Sequence, residues 1–359
     1  NGGLAFAMAA AATLTPEGEE SVYAKARDAA AMTSFYSTSW MLHGHTGGGI
    51  GEIWRGPAMG LLYDKAPNRY REFMDQRAWF LEISLSFDGS FGIVGGGSYD
   101  TPNSWAIGMA LNYTVPRKHL RIYGAPTTEH CTVHQLPKRP WGTAADEQYY
   151  SFEATPVRGS KPQDVESETL AEDGSWPVLR KLRAKDVSDE TLLKYAHHPD
   201  FILARDYAAG TIRSLGRDDI TLELLRSKDP RVRHVGVASI DSRDLSDETV
   251  QLLLGMVNDP EESWYVTLDA MKVLGSAKAE LIAPHVDRLV YWLNHEDWWI
   301  NSSAMTALTK VAADKRYCKK ILPIIGEMVA NNTRAVALSP LGGIVREVQN
   351  ADPEVQAFA

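Results

Sequence analysis

Ser188-Asp-Glu-Thr191 returns as Ser246-Asp-Glu-Thr249, and a longer repetition surrounds the two copies. His198-Pro199-Asp200, Asp229-Pro230-Arg231 and Asp259-Pro260-Glu261 each read as the opening of a helix. Each leads into an apolar stretch, centred in turn on Ala208, Ala238 and Ala270. Leu215-Gly216 and Leu274-Gly275 end two of the stretches alike. Pro199 and Pro230 stand 31 residues apart, and Pro230 and Pro260 stand 30 apart. A looser copy runs from His295-Glu-Asp-Trp298 to Val311. Self-similarity at this period marks stacked helix pairs, each of which buries its apolar face only against its neighbours. Residues from about 176 to 348 are therefore expected as antiparallel helix pairs without a β-sheet. Ala208, Ala238 and Ala270 are expected to be buried at equivalent positions.

The segment before the repeats has another character. Residues 124–175 hold Pro126, Pro137, Pro140, Pro156 and Pro162 among many polar side chains. This predicts an irregular connector, with a short strand at His119 to Tyr123 leading into it. A connector of this length inside a compact chain is functional or wraps a neighbour. Residues 1–123 read as helices joined by glycine-rich loops. Helices are expected over 4–13, about 17–33, Phe35 to Leu42, Glu52 to Lys65 (bent or started near Pro57), Asn68 to Ser86 and Pro102 to Tyr113. Ala24, Ala26, Ala29, Ala30 and Ala31 supply a small-residue face for close packing. Tyr70, Phe73, Met74, Arg77 and Phe80 recur at helical spacing.

Polar chemistry concentrates in one place, Met41-Leu-His-Gly-His-Thr-Gly-Gly-Gly-Ile-Gly-Glu-Ile-Trp-Arg-Gly-Pro57. Imidazole, carboxylate, guanidinium and indole stand here beside glycines that let a ligand or another backbone approach closely. His43 and His45 can act as proton-transfer groups. They can also be two ligands of a zinc ion that would need a third from Glu52 or Asp100. The plain alternative is a helix-end cap and a core hydrogen bond. Glu52 and Arg55 lie three apart, on one face of a helix. They suit an acid or base beside a clamp for a carboxylate or sulfate, and equally a structural ion pair. Asp88 and Asp100 flank a second glycine run, Gly95 to Gly97. Paired carboxylates serve glycoside hydrolysis, yet an Asp before a Gly is also a turn former, and Asp100 can cap the helix that follows. The aromatics Tyr36, Trp40, Trp54, Tyr99 and Trp105 suit sugar-stacking platforms, the wall of an isoprenoid pocket or a core; Trp40 is assigned to the core, and Trp54, Tyr99 and Trp105 are the substrate-binding candidates. Glu129, His130 and His134 form a second cluster between prolines. His197-His198, at a repeat junction, reads as structural.

Two resemblances follow from these residues. The helical hairpins of residues 1–123, with Phe87-Asp88-Gly89-Ser90-Phe91-Gly92, resemble the α/α toroid shared by terpene cyclases, protein prenyltransferases and many polysaccharide-active enzymes. Gly44-His45-Thr46-Gly47-Gly48, Glu52-Ile53-Trp54-Arg55, Tyr70-Arg71-Glu72-Phe73 and Phe87-Asp88-Gly89-Ser90-Phe91 together look like a bacterial family known only as a domain of unknown function, often predicted to be exported. That resemblance covers roughly residues 20–123 and implies a toroid, though the segment holds fewer helices than a complete one. The Asp-Pro openings and Ala/Val/Leu faces from 176 onward resemble HEAT-type repeats. The expected fold class is thus all-α, a partial α/α toroid followed by a HEAT-like α-solenoid. The expected domains are 1–123, a connector at 124–175, and 176–359.

Composition sets the outer bounds. At 359 residues, 44% hydrophobic and 23% charged, the chain can build a sizeable core. A net charge of −9 argues against nucleic acid as a partner. Cys131 and Cys318 make no disulfide framework. No apolar run is long enough to span a membrane. The chain opens on Asn1-Gly2-Gly3 without an initiator Met, as expected of a processed or truncated product. No Gly-Lys-Ser/Thr follows either glycine run and no Gly-x-Ser-x-Gly elbow occurs, so P-loop and serine-hydrolase readings fail. A terpenoid cyclase is weakened by the lack of an Asp-x-Asp-Asp acid motif. The functional expectation is a carbohydrate-active hydrolase or lyase, exported to the periplasm or beyond. His43, His45, Glu52 and Arg55 would be its catalytic group; Trp54, Tyr99, Asp100 and Trp105 would meet a glycan. The alternative is a non-catalytic scaffold that engages a protein partner through the solenoid. The sequence names no cofactor.

Overall fold

The structure is a computed structural model. It describes residues 2–37, 50–89, 111–129, 133, 135–139, 141–158, 165–331 and 340–359. The chain is all-α: among the described residues helices and 3-10 turns alternate with irregular backbone and no β-strand forms. No helix among them is long and apolar enough to cross a membrane. Two compact units form, Asn1–Trp141 with Tyr149–Ala208, and Gly142–Gln148 with Ala209–Ala359.

The first unit is built on α1 (Gly2–Leu14), α2 (Val22–Tyr36), α3 (Ile50–Gly60) and α4 (Pro67–Ser84). Ala5, Ala9 and Ala12 of α1 are buried, as are Ala24, Ala29, Ala30 and Ala31 of α2. These small faces let α1 and α2 lie close together, and α1 also meets α3. The contact with α3 needs a glycine. A Cβ added at Gly2 would stand 2.8 Å from the backbone carbon and oxygen of Trp54. Pro57 lies inside α3 instead of opening it. The strand expected at His119 to Tyr123 is absent. Val115–Arg117 and Arg121–Tyr123 are 3-10 turns instead, closed by left-handed residues at Lys118 and Gly124 that bring the chain back on itself. Further on lie α5 (Leu170–Asp173), α6 (Ser175–Leu182), α7 (Asp189–Ala196) and the start of α8 (Ile202–Ser214).

The second unit holds α9 (Asp218–Leu225), α10 (Pro230–Ala238), α11 (Asp247–Asn258), α12 (Trp264–Leu274), α13 (Ala279–Ile282), α14 (Val286–Leu293) and α15 (Trp298–Leu308). The chain ends in α16 (Cys318–Ala330), α17 (Leu341–Gln349) and α18 (Pro353–Phe358). Short loops join α9 to α10, α11 to α12 and α14 to α15, and within each pair the helices touch. The second members, α10, α12 and α15, also touch in sequence and make one row; α11 and α14 meet in the other. One apolar cluster running from Leu225 to Ile344 fills the space between.

The repeated Ser-Asp-Glu-Thr motif starts the helices α7 and α11. Ser188 Oγ accepts from Thr191 N at 3.2 Å, and Ser246 Oγ accepts from Thr249 N at 3.1 Å. The two acids then occupy the first turn, where the helix dipole favours them. The Asp-Pro motifs behave less uniformly. Asp229 caps α10 directly, with Pro230 as the first helical residue. After Asp259-Pro260 the helix waits for Ser263, and after Pro199 it begins at Ile202. That offset corrects the expected set of inner alanines. Ala208 and Ala270 are fully buried, but Ala238 is only half-buried. Counted from the helix start, the seventh residues are Ala208, Gly236, Ala270 and Ala304, and all four are buried. Gly236 is the tightest of them, since a Cβ there would stand 2.7 Å from Leu225 N.

The segment Gly142–Gln148 straps onto this unit. Asp146 is buried and accepts from Ser263 Oγ at 2.6 Å and from Trp264 N at 3.2 Å, at the start of α12. It also accepts from Thr143 N at 2.7 Å, while Thr143 Oγ1 donates to the Glu262 carbonyl at 3.1 Å. Gly142, at φ +81°, leaves the room this turn needs: a Cβ would stand 2.3 Å from Asp146 Oδ2. Glu262 meanwhile pairs with Arg233, whose Nε donates at 2.7 Å, and Arg233 Nη1 donates to the Ser227 carbonyl at 2.8 Å. The strap and two consecutive hairpin loops are thus tied in one chain of charge-assisted hydrogen bonds.

Candidate functional site

The expected site is carried by α3 and the stretch that leads into it. Arg55 is 4% exposed and Trp54, one residue earlier, is 47% exposed. The indole rests edge-on against Phe6, with ring centroids 6.2 Å apart at 77°. Gly2 explains the arrangement, because α1 presses on the backbone at Trp54 and leaves its ring outside. The indole is thus accessible on α3 while Arg55, the next residue, is turned inward and buried. Glu52 lies in α3, but its side chain is outside what the structure describes, as are His43, His45, Tyr99, Asp100 and Trp105. The second histidine cluster, His130 and His134, also lies outside the described residues. Among the described residues no group of three or more His, Cys, Asp or Glu gathers as a metal site.

A polar centre that the sequence did not single out lies deeper in the first unit. Glu168 Oε2 accepts from Tyr36 Oη at 2.9 Å and from His198 Nε2 at 2.8 Å. Lys194 Nζ stands 3.4 Å from Glu168 Oε1. His198 Nδ1 accepts from Asp200 N at 3.2 Å and from Phe201 N at 3.0 Å. The backbone contacts fix the tautomer: Nδ1 is the acceptor, so the proton resides on Nε2. Burial pushes the His198 pKa down, and two N–H donors at Nδ1 favour the same neutral form. Burial by itself would raise the Glu168 carboxyl. The hydrogen bonds from His198 and Tyr36, with Lys194 nearby, outweigh it and hold the group below its usual value. Tyr36 stacks on Phe201 at 4.8 Å, and its hydroxyl pKa is driven up by burial and then by Glu168. Arg69 donates to the Glu168 carbonyl and lies 4.9 Å from the Phe35 ring centre.

Both ring nitrogens of His198 are engaged and Glu168 is held ionised by its neighbours, so the groups of this cluster satisfy one another. Its chemistry is structural. It ties α2, α4, α7 and the turn before α8 to the connector residue Glu168. Beside it lies a cavity of about 220 Å³ lined by Thr33, Tyr36, Ser37, Ser175, Phe201 and Asp206 among others. Ser37 is six residues before His43 in the chain. The doublet His197-His198 and the aromatic Tyr36 were the sequence signals for the cluster. Glu168 sits in the connector and belongs to no motif.

Residues 1–124 match the family model described as Domain of unknown function (DUF6288). The expected uncharacterised family is met, and α1 to α4 with the two 3-10 turns after them fall inside it. Trp54, Arg55 and Tyr36 belong to the matched segment; Glu168 and His198 lie beyond it. No curated protein and no solved structure matches the chain.

Proposed function

We propose that the protein is a carbohydrate-active enzyme, a hydrolase or lyase on a polysaccharide or glycoconjugate, working from the rim of α3. The observation that supports the reading is the exposed Trp54 ring on α3. The indole gives a platform for the C–H face of a sugar, and the guanidinium gives a charge clamp. His45 or Glu52 supplies proton transfer, His43 completes the catalytic group, and Tyr99, Asp100 and Trp105 are the further substrate-binding residues. The fold is taken as a partial α/α toroid followed by a HEAT-like solenoid over 176–359, with 124–175 as connector, in an exported bacterial protein. The test is a screen on neutral and anionic polysaccharides, read by new reducing ends and by the ultraviolet absorbance of unsaturated products. His45→Ala and Glu52→Gln are expected to abolish turnover at unchanged Tm, and Trp54→Ala to raise KM more than it lowers kcat. Variants that unfold, or that keep full turnover, would show these residues to be structural.

A second reading has its own support. Tyr265 and Trp299 are each the second residue of their helix, α12 and α15, and are 41% and 53% exposed. Such a ladder suits a non-catalytic scaffold that engages a protein through the solenoid. Complementation of a host lacking the protein separates the two. The scaffold needs Tyr265 and Trp299 and tolerates His45→Ala; the enzyme has the opposite requirement.

A further inference from the structure

The far end of α3 closes a different cavity, about 250 Å³ in volume. Gly60, Leu61, Val115, Ile122 and Tyr123 give it apolar walls. The Tyr123 hydroxyl is engaged, donating to the Pro57 carbonyl at 2.7 Å. Charge collects around the cavity in two groups. In the first, buried Arg27 donates through both terminal nitrogens to the Glu19 oxygens at 2.8 Å, and through Nε to Asp28 at 2.7 Å. The Arg27 hydrogen bond holds the Glu19 carboxyl down near about 2, helped by Lys65 and against the burial that would raise it. Lys65 Nζ reaches Glu19 at 2.9 Å and Asp28 at 2.5 Å, which leaves it one N–H. In the second group Lys118 pairs with Asp64, and both ends face solvent.

Lys118 is the anomaly. Its backbone lies in the left-handed region, at φ 52° and ψ 36°, a cost that a glycine would not carry. Strain of this kind collects at binding sites. Here it places a charged side chain: the Lys118 stem runs past Gly124, where an added Cβ would meet Lys118 Cδ at 3.9 Å, and Lys118 is one of the residues that line the cavity.

We propose that this cavity binds one acidic sugar unit, a hexuronate or a hexose sulfate, with its oxyanion on Lys118 and the remaining N–H of Lys65. The proposal rests on the glycan reading above and gives it a substrate class. The volume suits a single ring and not a chain. The exposed Lys118–Asp64 pair is held weakly, so an incoming oxyanion takes over the lysine and frees Asp64 to accept from a sugar hydroxyl. Glu19, fixed as an anion by Arg27, accepts from another. Two carboxylates at the rim repel a polyanion, which limits the ligand to one negative charge on a polyol. Leu61, Val115 and Ile122 meet its C–H face.

The test is calorimetric titration of the whole chain with glucuronate, glucose 6-sulfate, glucose and inorganic sulfate at low salt. At least one of the two acidic sugars is expected to bind, about tenfold or more tighter than glucose or inorganic sulfate; which one distinguishes the carboxylate from the sulfate source. Lys118→Gly removes the ammonium and gives the left-handed position the residue it favours. It is expected to keep or raise Tm and to weaken binding about tenfold or more. Lys118→Arg should restore most of the affinity. Equal binding of glucose, equal binding of inorganic sulfate, wild-type affinity in Lys118→Gly, or no binding of either acidic sugar each overturns the proposal. Polysaccharide turnover in a protein that ignores the acidic sugars leaves the enzyme reading standing and removes this site. Acidic sugar bound through Lys118, with no activity on any polysaccharide, does the reverse.

Discussion

Replacing Asp146 with Ala should loosen the second unit far more than an ordinary loop substitution does. The carboxylate is 2% exposed and accepts from Ser263 Oγ at 2.6 Å, Thr143 N at 2.7 Å and Trp264 N at 3.2 Å. Hydrogen bonds to a charged group contribute roughly 1.5–3 kcal/mol each, but three that share one carboxylate are not additive. Ser263 also keeps its own capping bond to Tyr265 N. The expected loss is about 3–5 kcal/mol for Asp146→Ala and about 2 kcal/mol for Asp146→Asn, which retains one acceptor. With a urea slope of about 1–3 kcal/mol/M, Asp146→Ala should lower the midpoint of the second unit by about 1–5 M. Amide exchange at Thr143 and Trp264 should accelerate with it. A sharper check uses Gly142→Ala, whose Cβ would stand 2.3 Å from Asp146 Oδ2. That change should cost several kcal/mol with Asp146 present, and less once Asp146 is Ala, when the 2.9 Å approach to the Cβ at position 146 and about 1–2 kcal/mol of left-handed backbone strain remain. A midpoint shift below about 0.3 M, or strict additivity of the two changes, refutes the strap as a stabilising element.

Two further outcomes follow from groups already described. His198 is held neutral, its pKa pushed down by burial, so the unfolded chain takes up its proton first as pH falls. The contribution is complete above the ordinary value of about 6.5 and declines below it, with Glu168 adding a further loss below about 4.5. His198→Asn keeps an acceptor for Asp200 N and Phe201 N but loses Glu168. It should lower stability at pH 7 by about 2–4 kcal/mol and flatten the Tm decline between pH 7 and 5; an unchanged slope would contradict the assignment. In the second unit, Gly236→Ala should destabilise by about 1–3 kcal/mol through its clash with Leu225 N. Gly255→Ala, with nothing within 4 Å of its Cβ, should stabilise by about 0.5–1 kcal/mol. Equal effects in urea melts would dismiss the packing argument.

Helix content and the rhythm of the C-terminal part were legible because they depend on local chemistry. Ser188 and Ser246 write their caps within four residues, and the small inner residue recurs at a fixed count from the helix start. The misplacement of Ala238 has the same root. Counting from the proline assumes that every Asp-Pro starts a helix at once, whereas Asp229 does and Asp259 does not. Long-range partners left no trace. Nothing near Asp146 announces Ser263, and Glu168 meets Tyr36 and His198 only through tertiary packing. Of the expected site, the described side chains are Trp54, which is exposed, and Arg55, which is buried. Lys118 was passed over because a lysine gives no local sign of a left-handed backbone; that conformation is set by the two 3-10 turns on either side.

The strap also dates the assembly of the chain. Asp146 precedes Ser263 by 117 residues, so it leaves the ribosome well before the helix it caps has been made. At about 5–20 residues per second, that interval is roughly 6–25 s. During this time residues 149–262 are made, and Asp146 has neither Ser263 nor Trp264 to pair with. Whatever speeds translation of residues 149–263 shortens the only period in which a buried carboxylate and its glycine-turn neighbours are left to find other company.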